Sequence, residues 1–207
     1  MRLKILSLLL WSALLMGCGM TEDEREESHR HTYITFADRA FEAYCLETYD
    51  LNGDGRFSLY EAERVLYIDC AGRGITSLYG IEHFVKLREL DCSQNEILTL
   101  DLTRNEWLER LDCSENGLTL LLVNNLRLLD ELHCAYNALS SLDLQNNGSV
   151  QTLDCSYNAL RLLDASTCSR SMLLLDCSNN PDLQVLYLGE YQRVDRLYPG
   201  TAEVVRR

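Results

Sequence analysis

The densest chemistry in the 207-residue chain lies between residues 50 and 61, where oxygen-bearing side chains alternate with small or apolar ones. Asp50, Asn52 and Asp54 stand at the first, third and fifth places of a twelve-residue loop, Ser58 at the ninth and Glu61 at the twelfth. Gly55 permits the sharp turn at the sixth place, and the backbone carbonyl of Arg56 is available at the seventh. A hard cation that takes six to eight oxygens needs this alternating supply, with a bidentate carboxylate closing the loop, so the expected ion is calcium in a structural role. The same stretch has a second reading. Ser58-Leu59-Tyr60-Glu61 is also a capping box for a following helix, which needs no metal.

Other candidate groups point away from catalysis. Six cysteines (70, 92, 113, 134, 155 and 177) recur at intervals of 22, 21, 21, 21 and 22 residues. Zinc sites want close pairs such as C-x2-C, and none occurs. Evenly spaced cysteines are expected instead as a reduced, inward column, because free Cys packs as a small hydrophobe. Cys45 and Cys168 lie off this register and form the one pair open to oxidation. His133 falls between Asp112 and Asp154 in the repeat, with Ser114 and Ser156 nearby. A nucleophilic triad also needs an oxyanion pocket shielded from water, which a regular strand face does not offer. The chain therefore reads as a non-enzyme.

The N-terminus is an address. Arg2 and Lys4 precede the apolar run 5–16, which is too short to span a bilayer and fits a secretory signal. Leu15-Met16-Gly17-Cys18 resembles the lipobox of bacterial lipoproteins, which implies that Cys18 becomes the lipidated first residue of the mature chain. Glu22-Asp23-Glu24-Arg25-Glu26-Glu27 is too charged to bury, so 18–35 is expected to be a lipid-anchored, acidic, disordered spacer. It is similar to the acidic export signal of some anaerobic Gram-negative lipoproteins. That resemblance implies the outer membrane, facing the cell surface.

These elements are positioned by a repeat. Leu90-Asp91-Cys92-Ser93-Gln94-Asn95 returns as Leu111–Asn116, Leu132–Asn137, Leu153–Asn158 and Leu175–Asn180. The period of 21–22 residues and the pattern L-x-x-L-x-C-x-x-N are those of leucine-rich repeats. The expected fold is an α/β repeat solenoid, with parallel strands on one face. The asparagines at 95, 116, 137, 158 and 180 should turn inward to bond the backbone at each bend, whereas Arg73 takes that slot in the first coil. Apolar spacing at Phe41, Tyr44, Cys45 and Tyr49 predicts an amphipathic helix before the cation loop. Ile75-Thr76-Ser77-Leu78-Tyr79-Gly80-Ile81-Glu82-His83-Phe84 resembles an internalin-type repeat. That family begins with a helical, EF-hand-like cap, in kind and position like 36–66 here. The resemblance implies a right-handed coil and a role in adhesion or protein recognition, with no particular ligand.

The expected organisation is signal 1–17, spacer 18–35, cap 36–66, about six coils over 67–188, and a C-terminal cap 189–207 in which Val194, Leu197 and Tyr198 cover the core. Between each inward Leu and Cys one side chain must point outward, giving a column of Asp69, Asp91, Asp112, His133, Asp154 and Asp176. Beside it run Ser93, Ser114, Ala135, Ser156 and Ser178, and then Tyr136 and Tyr157. This strip either docks a basic protein surface or a glycan, or is simply a solvated face. The 19 basic and 32 acidic residues give −13, and removal of Arg2 and Lys4 leaves 17 against 32, or −15. That excess excludes nucleic acid and adsorption to anionic lipid. The partner expected is a protein met by a monomer; the alternatives are a glycan, or a structural place in an envelope complex.

Overall fold

A computed structural model describes residues 21–207; the expected signal segment and Cys18 lie outside the described residues. The chain winds as a parallel β-solenoid. Its main sheet has seven strands: β1 (Tyr67–Asp69), β2 (Glu89–Asp91), β4 (Arg110–Asp112), β6 (Glu131–His133), β7 (Thr152–Asp154), β9 (Ser171–Asp176) and β11 (Arg193–Tyr198), in that order. Opposite it, the second half of each coil gives β3 (Thr99–Asp101) paired with β5 (Leu120–Leu122). Further along, β10 (Val185–Leu188) lies between β8 (Leu162–Asp164) and β12 (Glu203–Arg206). All of these pairings are parallel.

The strands are short because only one residue in three faces inward before the chain bends. Leu90, Leu111, Leu132, Leu153 and Leu175 stack in register in the core, followed by the buried cysteines. Burying one such leucine stabilises by about 1.5–3 kcal/mol, repeated in every coil. The bend after each strand uses a left-handed residue: Gln94, Glu115, Tyr136, Tyr157 and Asn179 have φ between 52° and 56°. That twist swings the next asparagine inward. Asn158 shows the pattern: its Nδ2 donates to the carbonyls of Cys134, Cys155 and Ser156, and its Oδ1 accepts from Leu139 N–H at 2.9 Å. In the first coil, where Arg73 replaces asparagine, Asn95 Oδ1 accepts from both Arg73 and Ile75 N–H groups.

A second set of amide staples occurs on the other side and has twice the period. Asn105 Nδ2 donates to Ile81 and Phe84 carbonyls, Asn147 Nδ2 to Val123 and Leu126, and Gln192 Nε2 to Ala165 and Ser169. In the alternate coils the slot is apolar, filled by Phe84, Leu126 and Cys168.

The N-terminal side departs from expectation in one respect. Within 18–35, expected to be disordered, residues Glu22–Arg30 form a helix, α1, capped by a reciprocal Thr21–Glu24 box. Acidic residues in its first turn and basic ones in its last complement the helix dipole, so local electrostatics offset its lack of an apolar face. Arg25 and His29 reach Glu63, and Glu26 meets Arg64, which hold α1 against the next elements. Helix α2 (Arg39–Tyr49) buries Phe41, Tyr44 and Cys45, and α3 (Leu59–Ala62) is a single turn. Asp38 caps α2 through Ala40 and Phe41 N–H and also binds Thr76, tying the helix to the first coil. Phe36, Phe41, Phe57 and Phe84 form one aromatic cluster across that junction.

The C-terminal segment 189–207 does more than cover the core. It adds β11 and β12, a further coil in register, with Val194 and Leu197 half-buried. Tyr198 does not cover the core as expected; it follows Asp176 in the outward column and is 50% exposed. Among the described residues no helix is long and apolar enough to cross a membrane.

Candidate binding face and cap loop

The outward residues of the main sheet form two columns. The last strand positions align Asp69, Asp91, Asp112, His133, Asp154, Asp176 and Tyr198. The positions two residues earlier align Tyr67, Glu89, Arg110, Glu131, Thr152, Leu174 and Arg196. Sequence reasoning missed this second column. Its signal was present, since each member stands two residues before the aspartate, but residue type varies along it. Arg110 is bonded to Glu89, and the first four strands bound a shallow groove of about 390 Å³.

The aspartates are held by their serines. Asp91, Asp112, Asp154 and Asp176 each accept, at Oδ1, the N–H of the serine two residues on at 2.9–3.0 Å. The same Oδ1 accepts that serine's hydroxyl at 2.6–2.7 Å. Two donors on one oxygen offset the repulsion expected between like charges opposite one another in a sheet. The Oδ2 atoms receive no donor among the described residues, and they remain available to a cation. The serine hydroxyls are committed to these carboxylates, not to His133, whose ring makes no hydrogen bond or ion pair among the described residues. His133 and Ala135 interrupt both ladders in one coil.

Tyr136 and Tyr157 come together in successive coils, with ring centroids 4.1 Å apart and planes within 10°. The phenol of Tyr136 is pushed up, first by the neighbouring Tyr157 phenol stacked beside it, then by lost hydration and the charges of Glu115 and Asp154.

In the cap loop, Asp50 accepts from the N–H groups of Gly53 and Gly55, Asn52 from Asp54, and Asp54 from Arg56. Gly55 has φ +72°, the left-handed bend required at that place. Glu61 is buried. One of its oxygens accepts Leu51 N–H at 3.0 Å, and the other accepts Ser58 N–H at 2.8 Å and Ser58 Oγ–H at 2.7 Å. The capping box and the loop closure are thus one structure. The donor types suit a hard cation, but Asn52 turns its Nδ2 onto Asp54 Oδ2. Among the described residues no three His, Cys, Asp or Glu side chains converge as a ready metal site.

The ladder cysteines are free, as are Cys45 and Cys168. These last two are not neighbours: Cys45 lies in the cap beside Cys70, and Cys168 lies in the fifth coil near Asp164. Loss of hydration pushes every one of these thiols up, Cys70, Cys168 and Cys177 to about 12. None is a ready nucleophile.

No family model matches the chain, and no curated protein matches it. Among solved structures it is similar to the functional domain of InlJ from Listeria monocytogenes, which includes a cysteine ladder. That match has a TM-score of 0.61 and 28% identity, over 79% of this chain and 37% of that one. It is also similar to the internalin InlF of Listeria monocytogenes, with TM-score 0.62 and 19% identity, over 82% of this chain and 55% of that one. The chain therefore spans less than two thirds of either protein. With its coil period, inward asparagines and parallel strands, the fold is the leucine-rich-repeat solenoid also found in these listerial internalins.

Proposed function

We propose that this is a non-enzymatic binding protein that recognises a protein partner through the outward face of its seven-stranded sheet. The observation that carries the reading is the aligned row of aspartates, four of which (Asp91, Asp112, Asp154 and Asp176) are clamped at Oδ1 by a serine and free at Oδ2. A face so oriented before binding loses little freedom on association. Its sign, within a chain of net charge −13, suits a basic protein surface. A glycan is the second reading, since the same free Oδ2 atoms accept hydroxyls, but a neutral sugar gains nothing from the charge of the row. The listerial likeness supports protein binding or adhesion in kind. Anchoring through a lipidated Cys18 in the outer membrane, facing outward, belongs to the same proposal and is supported by the sequence around that residue. Calcium at Asp50, Asn52, Asp54, Arg56, Ser58 and Glu61 is proposed as a structural supplement to the cap, supported by the donor types alone.

The test compares two charge-reversal variants in capture from host-surface and bacterial-envelope fractions. Asp112→Arg/Asp154→Arg alters the proposed face, and Asp101→Arg/Asp143→Arg alters the opposite side. A partner retained by the second variant and lost by the first supports the reading. Loss confined to the opposite-side variant overturns it.

A further inference from the structure

The tyrosine pair calls for an explanation that packing does not supply. Tyr136 and Tyr157 are 52% and 45% exposed, and both sit at positive φ, 55° and 52°. A left-handed backbone suits glycine or asparagine, and bulky residues adopt it at a penalty. The fold does not demand an aromatic there, since Gln94, Glu115 and Asn179 occupy the equivalent bends. The left-handed bend is common to every coil; what sets these two apart is that bulky rings, half exposed and stacked on one another, stand where a small or polar residue would serve the bend.

We propose that the Tyr136–Tyr157 stack, with Glu115, is the anchor for an arginine side chain of the partner. The proposal rests on the strand-face reading above and names the chemistry recognised at the edge of that face. Each ring covers one face of the other. The far face of Tyr136 is turned toward the coil in which Glu115 takes the same bend position. A guanidinium laid on that face gains the ring quadrupole, and the Glu115 carboxylate of the adjacent coil, whose Oε1 accepts a long 3.4 Å contact from Gln94 Nε2, keeps its other oxygen for it. The aspartate row continues from this corner across the sheet, so further basic side chains of the same segment meet Asp112 and Asp154. An ammonium is a compact, strongly hydrated charge that does not stack as a plane, so lysine gains less here than arginine. A sugar ring could also lie on tyrosine. Its hydroxyls would find Asp154 Oδ2 as an acceptor, but a neutral ring gains nothing from the charges of Glu115 and the aspartate row, which a guanidinium does.

The experiment measures calorimetric binding of an oligoarginine peptide, an oligolysine peptide of equal length and a neutral oligosaccharide to the protein. It is repeated with Tyr136→Asn/Tyr157→Asn and with Asp112→Asn/Asp154→Asn. Asparagine is at ease at positive φ, so the first variant keeps its fold, checked by an unchanged or raised unfolding midpoint. The expected result is a preference of roughly tenfold for oligoarginine over oligolysine, abolished by the tyrosine substitutions. Equal binding of the two peptides, or a preference that survives in the tyrosine variant, overturns the anchor. The strand-face reading still stands in that case if the aspartate variant loses both peptides. Binding of the oligosaccharide alone, lost with the tyrosines, overturns the anchor and makes the stack a sugar platform.

Discussion

Replacement of Asn158 by alanine tests whether the inward asparagines hold the solenoid together. Its amide makes four hydrogen bonds to two coils, at 2.9–3.2 Å. The carbonyls of Cys134 and Cys155 keep a second amide donor each, from Asn137 and Asn180. Leu139 N–H, by contrast, is left buried without an acceptor. An intramolecular hydrogen bond contributes about 1 kcal/mol net, and an orphaned buried donor costs about 1–3 kcal/mol. The expected loss is therefore about 3–5 kcal/mol. For a chain of this size that is a fall of roughly 10–15 °C in melting temperature. Asn147→Leu provides the contrast. Its Nδ2 also bonds two carbonyls of the previous coil, but its Oδ1 meets no donor, and Leu126 fills the same slot one coil earlier. Removing a buried unsatisfied oxygen offsets the two lost bonds, so this change is expected to cost less than about 1 kcal/mol. Urea denaturation with matched thermal melts gives both values. Equal losses for the two variants, or a loss under about 1 kcal/mol for Asn158→Ala, would refute the reasoning.

Three further outcomes are expected. Burial raises Asp38, but its hydrogen bonds to Thr76, Phe41 and Ala40 outweigh that and hold the carboxyl below its ordinary value of 3.8. Its contribution is therefore present above that value and lost as pH falls through the lower folded one. Asp38→Ala should lower stability by about 1 kcal/mol at neutral pH, with the gap between wild type and variant narrowing in pH-resolved melts as pH falls through the lowered folded value. Calorimetry with calcium should show weak binding, in the ~10⁻⁴–10⁻³ M range of extracellular modules, that Glu61→Gln abolishes. Retention in that variant would move the ion to the aspartate row. The ladder thiols should resist alkylation at pH 8 in the native protein and react only on unfolding, because burial raises all of them. Rapid native labelling of Cys113 or Cys155 would show that the core column is misplaced.

Much of the architecture was legible because a solenoid writes its contacts into one dimension. The interval between cysteines sets the coil, and strand alternation then decides which of Leu, Asp and Cys faces out. The Ser58–Glu61 capping box was readable for the same local reason. What escaped depends on comparison across two coils or on the balance of charge along one helix. Asn105 and Asn147 lie 42 residues apart, so a search at 21 residues sees them as exceptions. Glu22–Arg30 has the composition of a disordered tether, and only its N-terminal box and its graded charge favour a helix. The tyrosine stack was visible as two residues at one repeat position, but the contact between their rings was not. Without that contact the pair is indistinguishable from ordinary surface residues.

The clamp on the aspartates connects stability to recognition. A row of carboxylates at sheet spacing repels, and the serine donors hold the charges in place without neutralising them. The free protein therefore keeps some electrostatic strain in its main sheet, concentrated where Asp69, Asp91 and Asp112 face one another and where Asp154 faces Asp176. His133 separates the run of three from the pair, so the strain is not continuous along the row. A basic partner that reaches the Oδ2 atoms relieves it, so binding should raise the unfolding midpoint, by an amount that falls as salt screens the row. Since the Oδ1 atoms of Asp91, Asp112, Asp154 and Asp176 are already fixed by two donors each, that gain needs no rearrangement of the face.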